Sequence, residues 1–405
     1  MRYVLLLSLL AAAPALAQGP SQEDGGRPIL VTGQRIQDFR DALARCLARR
    51  CPPNEDADAT LALSEALFLN GGYHEARGIL QAALRRNRDE ARGYPEPVSD
   101  LYRAHSRVSR HLGEDEDGRR STYGALGALQ QGLPTEDHRH FTARLEISEM
   151  QMQRGHIAGA RRELQTLARI ARAAGREDVA TVADLRILWF ELIVDRQSAA
   201  RQSLIEMARL AGPRDRMRAT GAKLLLARLY RSEGQDGRAD ALLAEVGRAA
   251  AAGGRRRLLH APPYEMQVLD HVTPRDTVDT GWGVGVMAGA NFTVTNVLTH
   301  HSDNFEDKWI DVGFWIMPDG RVAGFEILRN RNNPDWADPM IASLRGRIYS
   351  AGPEATYRIE RYSYTAPYER VTGTNIRRRS RAARVEYLDL TTPGAAPGAP
   401  PTAEN

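Results

Sequence analysis

A short turn recurs along the first two thirds of this chain at an almost constant interval. In each instance a small or polar residue is followed five positions later by alanine or glycine. The turns are separated by 42, 42, 40 and 39 residues and begin at Gly71, Gly113, Gly155, Asp195 and Gly234. Because self-similarity at a fixed period of this length is typical of stacked repeat units, this feature constrains the fold more than any other.

The stretches on either side of each turn have the apolar spacing of helices. Apolar residues recur at intervals of three and four in residues 61–68 and 224–230 before a turn, and in residues 76–80 and 239–243 after one. Small residues just after the turn allow a second helix to approach the first closely. The sequence therefore predicts helical hairpins, about five of them, preceded by a capping helix near residues 36–49.

Three of these turn segments resemble the tetratricopeptide repeat. They are LNGGYHEA at 69–76, MQRGHIAGAR at 152–161 and LARLYRSEGQDGRA at 226–239. The period here exceeds the roughly 34 residues of that family, so the helices or their connections must be longer. The resemblance implies an all-α, TPR-like solenoid over residues 34–254 that binds proteins or peptides on one face.

The first residues have the three parts of a secretory signal peptide. Arg2 precedes an apolar run over residues 4–17, which ends in the small-x-small sequence Ala15-Leu16-Ala17. The run is shorter than the roughly 20 residues that span a bilayer. We therefore expect cleavage of residues 1–17, a flexible N-terminus at 18–33, a periplasmic location in a bacterial envelope, and no membrane span in the mature chain.

Two cysteines, Cys46 and Cys51, lie five residues apart at a predicted helix end. Oxidation is typical of exported proteins, and a frayed last turn permits the Cα separation below about 7 Å that a disulfide needs. A disulfide is the preferred interpretation, two buried apolar thiols are the alternative, and the spacing does not suggest a redox-active pair.

The composition changes after residue 254, where alternating β-branched segments replace alanine-rich helices. Strands are predicted at 283–286, 292–297, 309–316, 322–328, 357–364 and 384–390, with one helix among them. The Asp319-Gly320 pair favours a tight turn between two strands. We expect a small α+β domain over residues 255–390 and, because it is rich in proline, alanine and glycine, a disordered tail at 391–405.

Part of this domain resembles the C-terminal domain of the TonB energy transducers. The likeness comprises a strand and an Asp-Gly-Arg-Val hairpin over 309–322, a returning strand at 325–329, a helix at 338–349 and a last strand. The chain departs from the family where Arg347 occupies the position of a tryptophan. The resemblance implies a TonB-like fold, and not energy transduction.

In the TonB family the last strand of the domain receives a receptor peptide by strand addition. The resemblance therefore assigns partner binding to the matching strand, with Tyr357, Ile359, Arg361 and Ser363 as the residues concerned and Arg361 as an outward side chain. The alternative is that a further strand at 383–390 covers this edge.

Other polar clusters have weaker assignments. Arginines at 255–257, and at 377–379 with Arg381 and Arg384, are interpreted as a solvated linker or turn, with contact to anionic lipid as the alternative. A net charge of only +4 and the expected export argue against nucleic acid. The glycines at 281–285 favour a strand over a nucleotide loop, and residues 300–307 favour a polar loop over a metal site. No cofactor, metal ligand or catalytic residue is predicted.

Taken together, these patterns predict a non-enzymatic scaffold of the cell envelope. Its repeats would capture an envelope protein or peptide, with an outer-membrane receptor among the candidates, and the TonB-like domain would supply a second contact. One alternative is an envelope enzyme with a pocket between the domains, near His260, His271, His300 and His301. Another is a TonB-type transducer that keeps its N-terminal segment as an anchor.

Overall fold

The computed structural model describes residues 33–195, 198–251, 256, 258–262, 308–331, 334–370, 377–379 and 384–391. The predicted signal peptide, the predicted strands at 283–286 and 292–297, and the tail after residue 391 lie outside these residues. Within them, no helix is both long enough and apolar enough to cross a bilayer.

Eleven helices precede the first strand in the described part of the chain, and after the first they form five hairpins. They are α1 (Gly33–Ala48), α2 (Pro53–Leu69), α3 (Tyr73–Asn87), α4 (Pro95–His111), α5 (Asp115–Gly132), α6 (His138–Gln153), α7 (Ile157–Ala173), α8 (Glu177–Val194), α9 (Ala199–Ala208), α10 (Arg216–Ser232) and α11 (Asp236–Ala251). The predicted helical-repeat region is confirmed.

Four of the five hairpin turns share one backbone structure. The glycines at 71, 113, 155 and 234 have φ between 73° and 78°, a conformation that favours glycine. In the first turn, the amide of Gly72 donates to the carbonyl of Leu67 at 2.8 Å and that of Gly71 to Phe68 at 3.0 Å. This Schellman arrangement satisfies the last carbonyls of the first helix, which explains why the glycine recurs once per period.

Ion pairs about one period apart join neighbouring hairpins at two places on the first helices. Arg103 of α4 donates to Glu146 of α6, 43 residues later, with Nε–Oε1 at 3.0 Å. Arg218 of α10 and Glu177 of α8 make the equivalent pair at 3.2 Å. First helices therefore lie beside first helices, as a stacked solenoid requires.

The two cysteines close a small loop at the end of α1. Cys46 and Cys51 form a disulfide with their Cα atoms 5.1 Å apart. The helix ends at Ala48, and Arg50, at φ 52°, turns the chain back so that Cys51 N donates to Cys46 O at 3.1 Å. The helix end has therefore unwound as a bridge over five residues requires.

The remaining elements form a small α+β unit. Its described elements are β1 (Leu258–His260), β2 (Trp309–Ile316), β3 (Val322–Arg331), α12 (Asp338–Arg345), β4 (Ile348–Tyr349), β5 (Thr356–Thr365), β6 (Tyr368–Arg370), β7 (Arg377–Arg379) and β8 (Arg384–Asp389). Four strands form an antiparallel sheet in the order β3-β2-β5-β8, while β1 pairs with β4 and β6 with β7. The predicted strands at 309–316, 322–328, 357–364 and 384–390 and the predicted helix are confirmed.

The two faces of the four-stranded sheet have different neighbours. On one face Ile310, Val312 and Phe314 of β2 pack against α12 and form the core of the unit. On the other face Trp309, together with Leu388, packs into the same apolar cluster as α2, α3 and α4. Since β2 side chains alternate between the faces, one strand connects both cores, and the sheet is seated directly on the first two hairpins.

A short strand connects the unit to the other end of the helical stack. Leu259 of β1 is buried in the apolar cluster of α8 to α11, while β1 pairs with β4 of the α+β unit. Arg256 donates to the carbonyl oxygen of Ser350 at 2.9 Å. The α+β unit therefore contacts the first two hairpins and the last one.

Candidate protein-binding face

The first helix of each hairpin lies on the same side of the stack, and we call this side the first-helix face. Its side chains are not buried and recur at helical spacing on each helix, as one stripe of a helix does. They include Asp58 and Glu65 on α2; Glu96, Asp100, Arg103 and Arg107 on α4; Arg139, Glu146 and Glu149 on α6; Val182, Arg186, Trp189 and Ile193 on α8; and Met217, Leu224, Leu225 and Arg228 on α10.

The part of this face formed by α2, α4 and α6 is charged and internally paired. Besides the pair of Arg103 with Glu146, Arg139 on α6 contacts Glu96 on α4 at 2.8 Å. Burial raises the pKa of Glu65, and burial lowers the pKa of Arg107 despite the nearby Glu146. Because much of the charge is already neutralised between helices, this part is suited to joining hairpins.

The part formed by α8 and α10 is apolar. Leu185 and Trp189 on α8, with Leu224 and Leu225 on α10, are partly buried against the cluster that holds these helices together. Gly221 of α10 leaves room for Leu185, since a Cβ there would lie 2.3 Å from Leu185 Cδ1. These residues form an apolar strip that ends at the more exposed Met217, whose relative exposure is 38%.

Trp189 and Arg228 form the polar end of this strip. The Arg228 guanidinium carbon lies 6.0 Å from the Trp189 ring centroid, within cation–π range. Among the residues that the structure describes, no carboxylate offsets the lowering of the Arg228 pKa by burial, although its side chain is exposed. The strip therefore offers apolar contact area and one cation without a carboxylate partner.

The indole nitrogen of Trp189 is the second polar group at this end. It is buried and has no hydrogen-bond partner in the described part of the chain. Buried N–H groups in native proteins nearly always have an acceptor. The nitrogen itself is closed to solvent, so a partner would meet the edge of the ring. An oxygen acceptor beside Arg228 would pair with its guanidinium, and a partner that also carried apolar side chains would cover the strip.

At the opposite end of the stack, Arg361 of β5 fastens the sheet to the first hairpin. Its side chain is fully buried and donates from Nε to Asp311 Oδ1 at 2.6 Å. The other two nitrogens donate to the carbonyl oxygens of Phe68 and Leu69, each at 2.7 Å, so the guanidinium binds the carbonyl end of α2, where a cation is favoured. The ring of Trp309 lies 4.0 Å from its centre. We call this group the Arg361 clasp.

Arg384 of β8 fastens the second hairpin in a similar way. It donates to Asp115, in the first turn of α5, at 2.6 and 2.8 Å and to the carbonyl oxygen of Arg110 at 3.0 Å. Glu386 accepts from Arg110 at 2.9 Å. Burial alone would raise the pKa of Glu386, but Arg110 and Arg384 outweigh it and hold the pKa at about 2.

Two histidines of α4 are buried: His111 where the sheet meets these hairpins, and His105 against α5. His111 contacts the Phe68 ring edge to face, with centroids 4.7 Å apart, and burial lowers its pKa to about 3. His105 accepts from or donates to Ser121 Oγ at 2.8 Å, and burial lowers its pKa to about 4. Both are therefore neutral in the folded protein near neutral pH.

The predicted partner strand is not an open edge. β5 lies between β2 and β8, and β8 pairs with residues 360–365, while Ile359 N donates to Thr391 Oγ1 at 3.1 Å. The prediction that Arg361 points outward is wrong, because it is fully buried, and Ser363 is buried beside Tyr73. Tyr357 packs on Trp315 within the same sheet. The alternative, a covering strand near 383–390, is what the structure shows.

The residues named for an enzyme or metal site are not brought together in the described part of the chain. His271, His300 and His301 and the cluster at 300–307 lie outside it, as do the glycines at 281–285, and His260 is half-buried in β1. The group with metal-ligand spacing there comprises Cys46, Cys51 and Glu55, and its sulfurs form the disulfide. An open groove of about 420 Å³ between α5 and α6 is lined by polar groups, including Arg154 and Glu116, which bond to each other at 2.6 Å.

Sequence reasoning missed both the Arg361 clasp and the Trp189–Arg228 end of the strip. For α8 a signal was present, since residues 187–190 are Ile-Leu-Trp-Phe, so that the helix is apolar all round over this turn. Such a helix is either buried or covered by a partner. For Arg361 the sequence carries no local signal, because Asp311 lies 50 residues away and the carbonyl acceptors on α2 more than 290 residues away.

Comparisons with known proteins add little to this description. No family model matches the chain, and no curated protein is a significant match. Among solved structures, BtubC (BKLC) from P. vanneervenii is similar over 56% of this chain and 93% of its own, with a TM-score of 0.41 and 16% identity. A Podosopora anserina putative kinesin light chain with nearly identical TPR-like repeats is similar over 50% of this chain and 99% of its own, with a TM-score of 0.38 and 16% identity. A variant of that protein is similar over 49% of this chain and 96% of its own, with a TM-score of 0.38 and 17% identity. These scores are too low to support a statement about partners or activity.

Proposed function

We propose that this chain is an exported protein-binding scaffold of the bacterial cell envelope, and that it binds an envelope protein or peptide on the first-helix face of α8 and α10. The observation that carries this proposal is the apolar strip beside Trp189 and Arg228. It combines partly exposed apolar side chains with a cation that has no carboxylate partner in the described part of the chain and lies beside an aromatic ring.

The chemistry of the strip indicates what kind of partner fits. Aromatic and arginine side chains are the residue types that contribute most energy to protein interfaces. A peptide or helix with apolar side chains and one carboxylate would cover Leu225 and Met217 and place its oxygens beside Arg228. The site would bind by complementarity, without bond making or breaking.

In this proposal the α+β unit is a second interaction module that also holds the first two hairpins. Its likeness to the TonB C-terminal domain supports a binding role by strand addition. Since β5 is an inner strand, a peptide would have to join one of the outer strands of the described sheet, β3 or β8. The predicted signal peptide supports the location.

The proposal is tested by reversing one charge on the first-helix face. We expect Arg228→Glu to weaken binding of a captured envelope protein by at least about 30-fold, since loss of a central interface residue costs about 2 kcal/mol or more. The measurement is affinity capture from envelope extracts with the full chain, followed by titration of the purified partner.

Arg169→Glu is the matched control, because Arg169 is exposed on α7, a second helix of the same half of the stack. Both variants must melt like the wild type. A captured protein that is lost with Arg228→Glu and kept with Arg169→Glu supports the proposed face. Equal binding by both variants would place the partner elsewhere.

A further inference from the structure

The groove between α5 and α6 lies where the second hairpin meets the third. Its volume of about 420 Å³ is within the range of small-molecule sites. The residues that line it include Glu116, Arg119 and Tyr123 of α5, Gln151 and Arg154 of α6, and His156 at the start of α7. None of these residues belongs to the apolar strip of α8 and α10, so the groove is a separate surface.

Two arginines of the groove share one carboxylate. Arg119 Nε donates to Glu116 Oε2 at 3.0 Å, and Arg154 Nη2 donates to Glu116 Oε1 at 2.6 Å. Burial alone would raise the pKa of Glu116, but the two guanidinium groups outweigh it and lower the pKa below its ordinary value. Glu116 therefore stays ionised, and the three side chains together carry one positive charge in excess.

These charged groups remain open to a ligand. The side chains of Arg119 and Glu116 are 41% and 51% exposed. Each guanidinium has five N–H donors, and a carboxylate has more than one acceptor position on each oxygen. The bonds between Glu116 and its two arginines therefore leave donors and acceptors side by side at the surface of the groove.

An aromatic ring forms another part of the lining and is held in place. Gln151 Nε2 donates to Tyr123 Oη at 2.6 Å. Gly159 of α7 makes room for this amide, since a Cβ at Gly159 would overlap Gln151 Oε1. Tyr123 keeps 37% of its surface exposed. The groove thus combines an accessible, fixed aromatic surface with a group of charged donors and acceptors.

We propose that this groove binds an acidic carbohydrate, a sugar ring that bears a carboxylate. Each sugar hydroxyl both donates and accepts hydrogen bonds, and so matches Arg119 and Glu116 side by side. The apolar C–H face of the ring packs on Tyr123. The carboxylate of the sugar takes up the excess positive charge, because guanidinium groups bind carboxylates well. A bare anion has no hydroxyl to donate to Glu116 and is repelled by it.

Titration calorimetry of the full chain with three matched probes tests the ligand class. Glucuronate has both the ring and the carboxylate, whereas glucose lacks the carboxylate and acetate lacks the ring. We expect glucuronate to bind, and glucose and acetate each to bind at least about tenfold more weakly, as loss of a hydrogen bond to a charged group predicts. Acetate or inorganic phosphate that bound as tightly as glucuronate would overturn the proposal, and so would absence of glucuronate binding.

Substitutions on α5 locate the site. Arg119→Gln should weaken glucuronate binding by at least about tenfold. Tyr123→Leu should weaken it too, whereas Tyr123→Phe, which keeps the ring, should retain most of it. All variants must melt like the wild type.

Arg120→Gln is the matched control, because Arg120 is the next residue of α5, is exposed and does not line the groove. It should bind glucuronate like the wild type, and equal loss in Arg119→Gln and Arg120→Gln would place the ligand elsewhere and overturn the proposal. Arg228→Glu should also leave glucuronate binding unchanged, which separates this site from the first-helix face.

Discussion

The first turn of the stack and the last have the same backbone but different surroundings. Gly71 and Gly234 have φ of 78° and 73°, and each ends its helix with the same Schellman hydrogen bonds. A Cβ at Gly71 would lie 2.8 Å from Trp309 Nε1 of the sheet, whereas at Gly234 it would meet nothing within 4 Å. The same turn glycine therefore serves a turn enclosed by the sheet and a turn facing open space.

This difference shows that the repeat period determines the structure of the hairpins but not which part of the protein packs against each turn. The α+β unit packs on the turns of the first two hairpins through the contacts of Arg361 and Arg384. At the third and fifth turns a Cβ on Gly155 or Gly234 would meet nothing within 4 Å, and α8 and α10 carry the apolar strip. The sheet thus covers the first turns of the stack, whereas the last hairpin contacts the α+β unit through β1 and, in our proposal, leaves the strip to a partner.

Replacing Arg361, at the first hairpin, should lower the free energy of unfolding far more than replacing an arginine of the last hairpin. Arg361→Ala leaves Asp311 buried with one partner fewer and removes the donors to the Phe68 and Leu69 carbonyls. Breaking one side of a buried ion pair costs about 3–5 kcal/mol. We expect a loss of unfolding free energy of about that size, measured by denaturant unfolding of the full chain.

Arg238 is the corresponding control in the last hairpin. Its guanidinium lies over the Tyr230 ring at 4.5 Å, but the side chain is exposed. Arg238→Ala should cost no more than about 1 kcal/mol, the value of an exposed cation–π contact. If both replacements cost the same, the sheet does not stabilise the first hairpin through Arg361.

Acid should destabilise the second hairpin, because α4 holds two buried histidines. His105 and His111 have pKa values of about 4 and about 3, against 6.5 ordinarily. Below pH 6.5 the unfolded chain binds protons at these positions and the folded chain does not, so stability falls as the pH falls. The loss is about 2 kcal/mol for each histidine between about pH 6.5 and about pH 5. Glu386 contributes a further loss of stability only when the pH falls below 4.5, the ordinary pKa of a glutamate.

Denaturant unfolding across this pH range provides the measurement. His111→Phe keeps an aromatic ring against Phe68 and strands no partner, since His111 Nδ1 has none in the described residues. This variant should lose the part of the pH dependence that His111 contributes, about 2 kcal/mol, while the parts from His105 and from His140, whose pKa burial also lowers, remain. His156→Gln, at an exposed position in the third turn, should leave the dependence unchanged. If the free energy of unfolding of His111→Phe changes with pH as steeply as that of the wild type, His111 is not a source of the pH dependence.

Local pattern predicted much of this fold and little of its assembly. The glycines of the turns and the strand at 309–316 follow from period and alternation, which depend on neighbours in sequence. Alternation shows that Arg361 and Ser363 share a face, but not that Tyr73 and the end of α2 cover it. That contact depends on residues far apart in sequence, so Arg361 was assigned to the surface. For α8, the apolar run at 187–190 does not show which of its residues face a neighbouring helix and which, like Trp189, stay partly open.

The smallest expected effect concerns the turn glycines themselves. Alanine at either Gly71 or Gly234 must adopt positive φ, at a cost of about 1–2 kcal/mol. Gly71→Ala must also displace the indole of Trp309, and crowding of a packed site adds about 1–3 kcal/mol. We therefore expect Gly71→Ala to lower the free energy of unfolding by about 1–3 kcal/mol more than Gly234→Ala does, as measured by denaturant unfolding.

The Trp309→Leu variant provides the control background. Trp309 Nε1 has no hydrogen-bond partner in the described part of the chain, so removing it leaves no acceptor unsatisfied. In that background the two glycine replacements should cost the same. If Gly71→Ala stays more costly without Trp309, the difference arises within the first hairpin and not from the sheet that covers it.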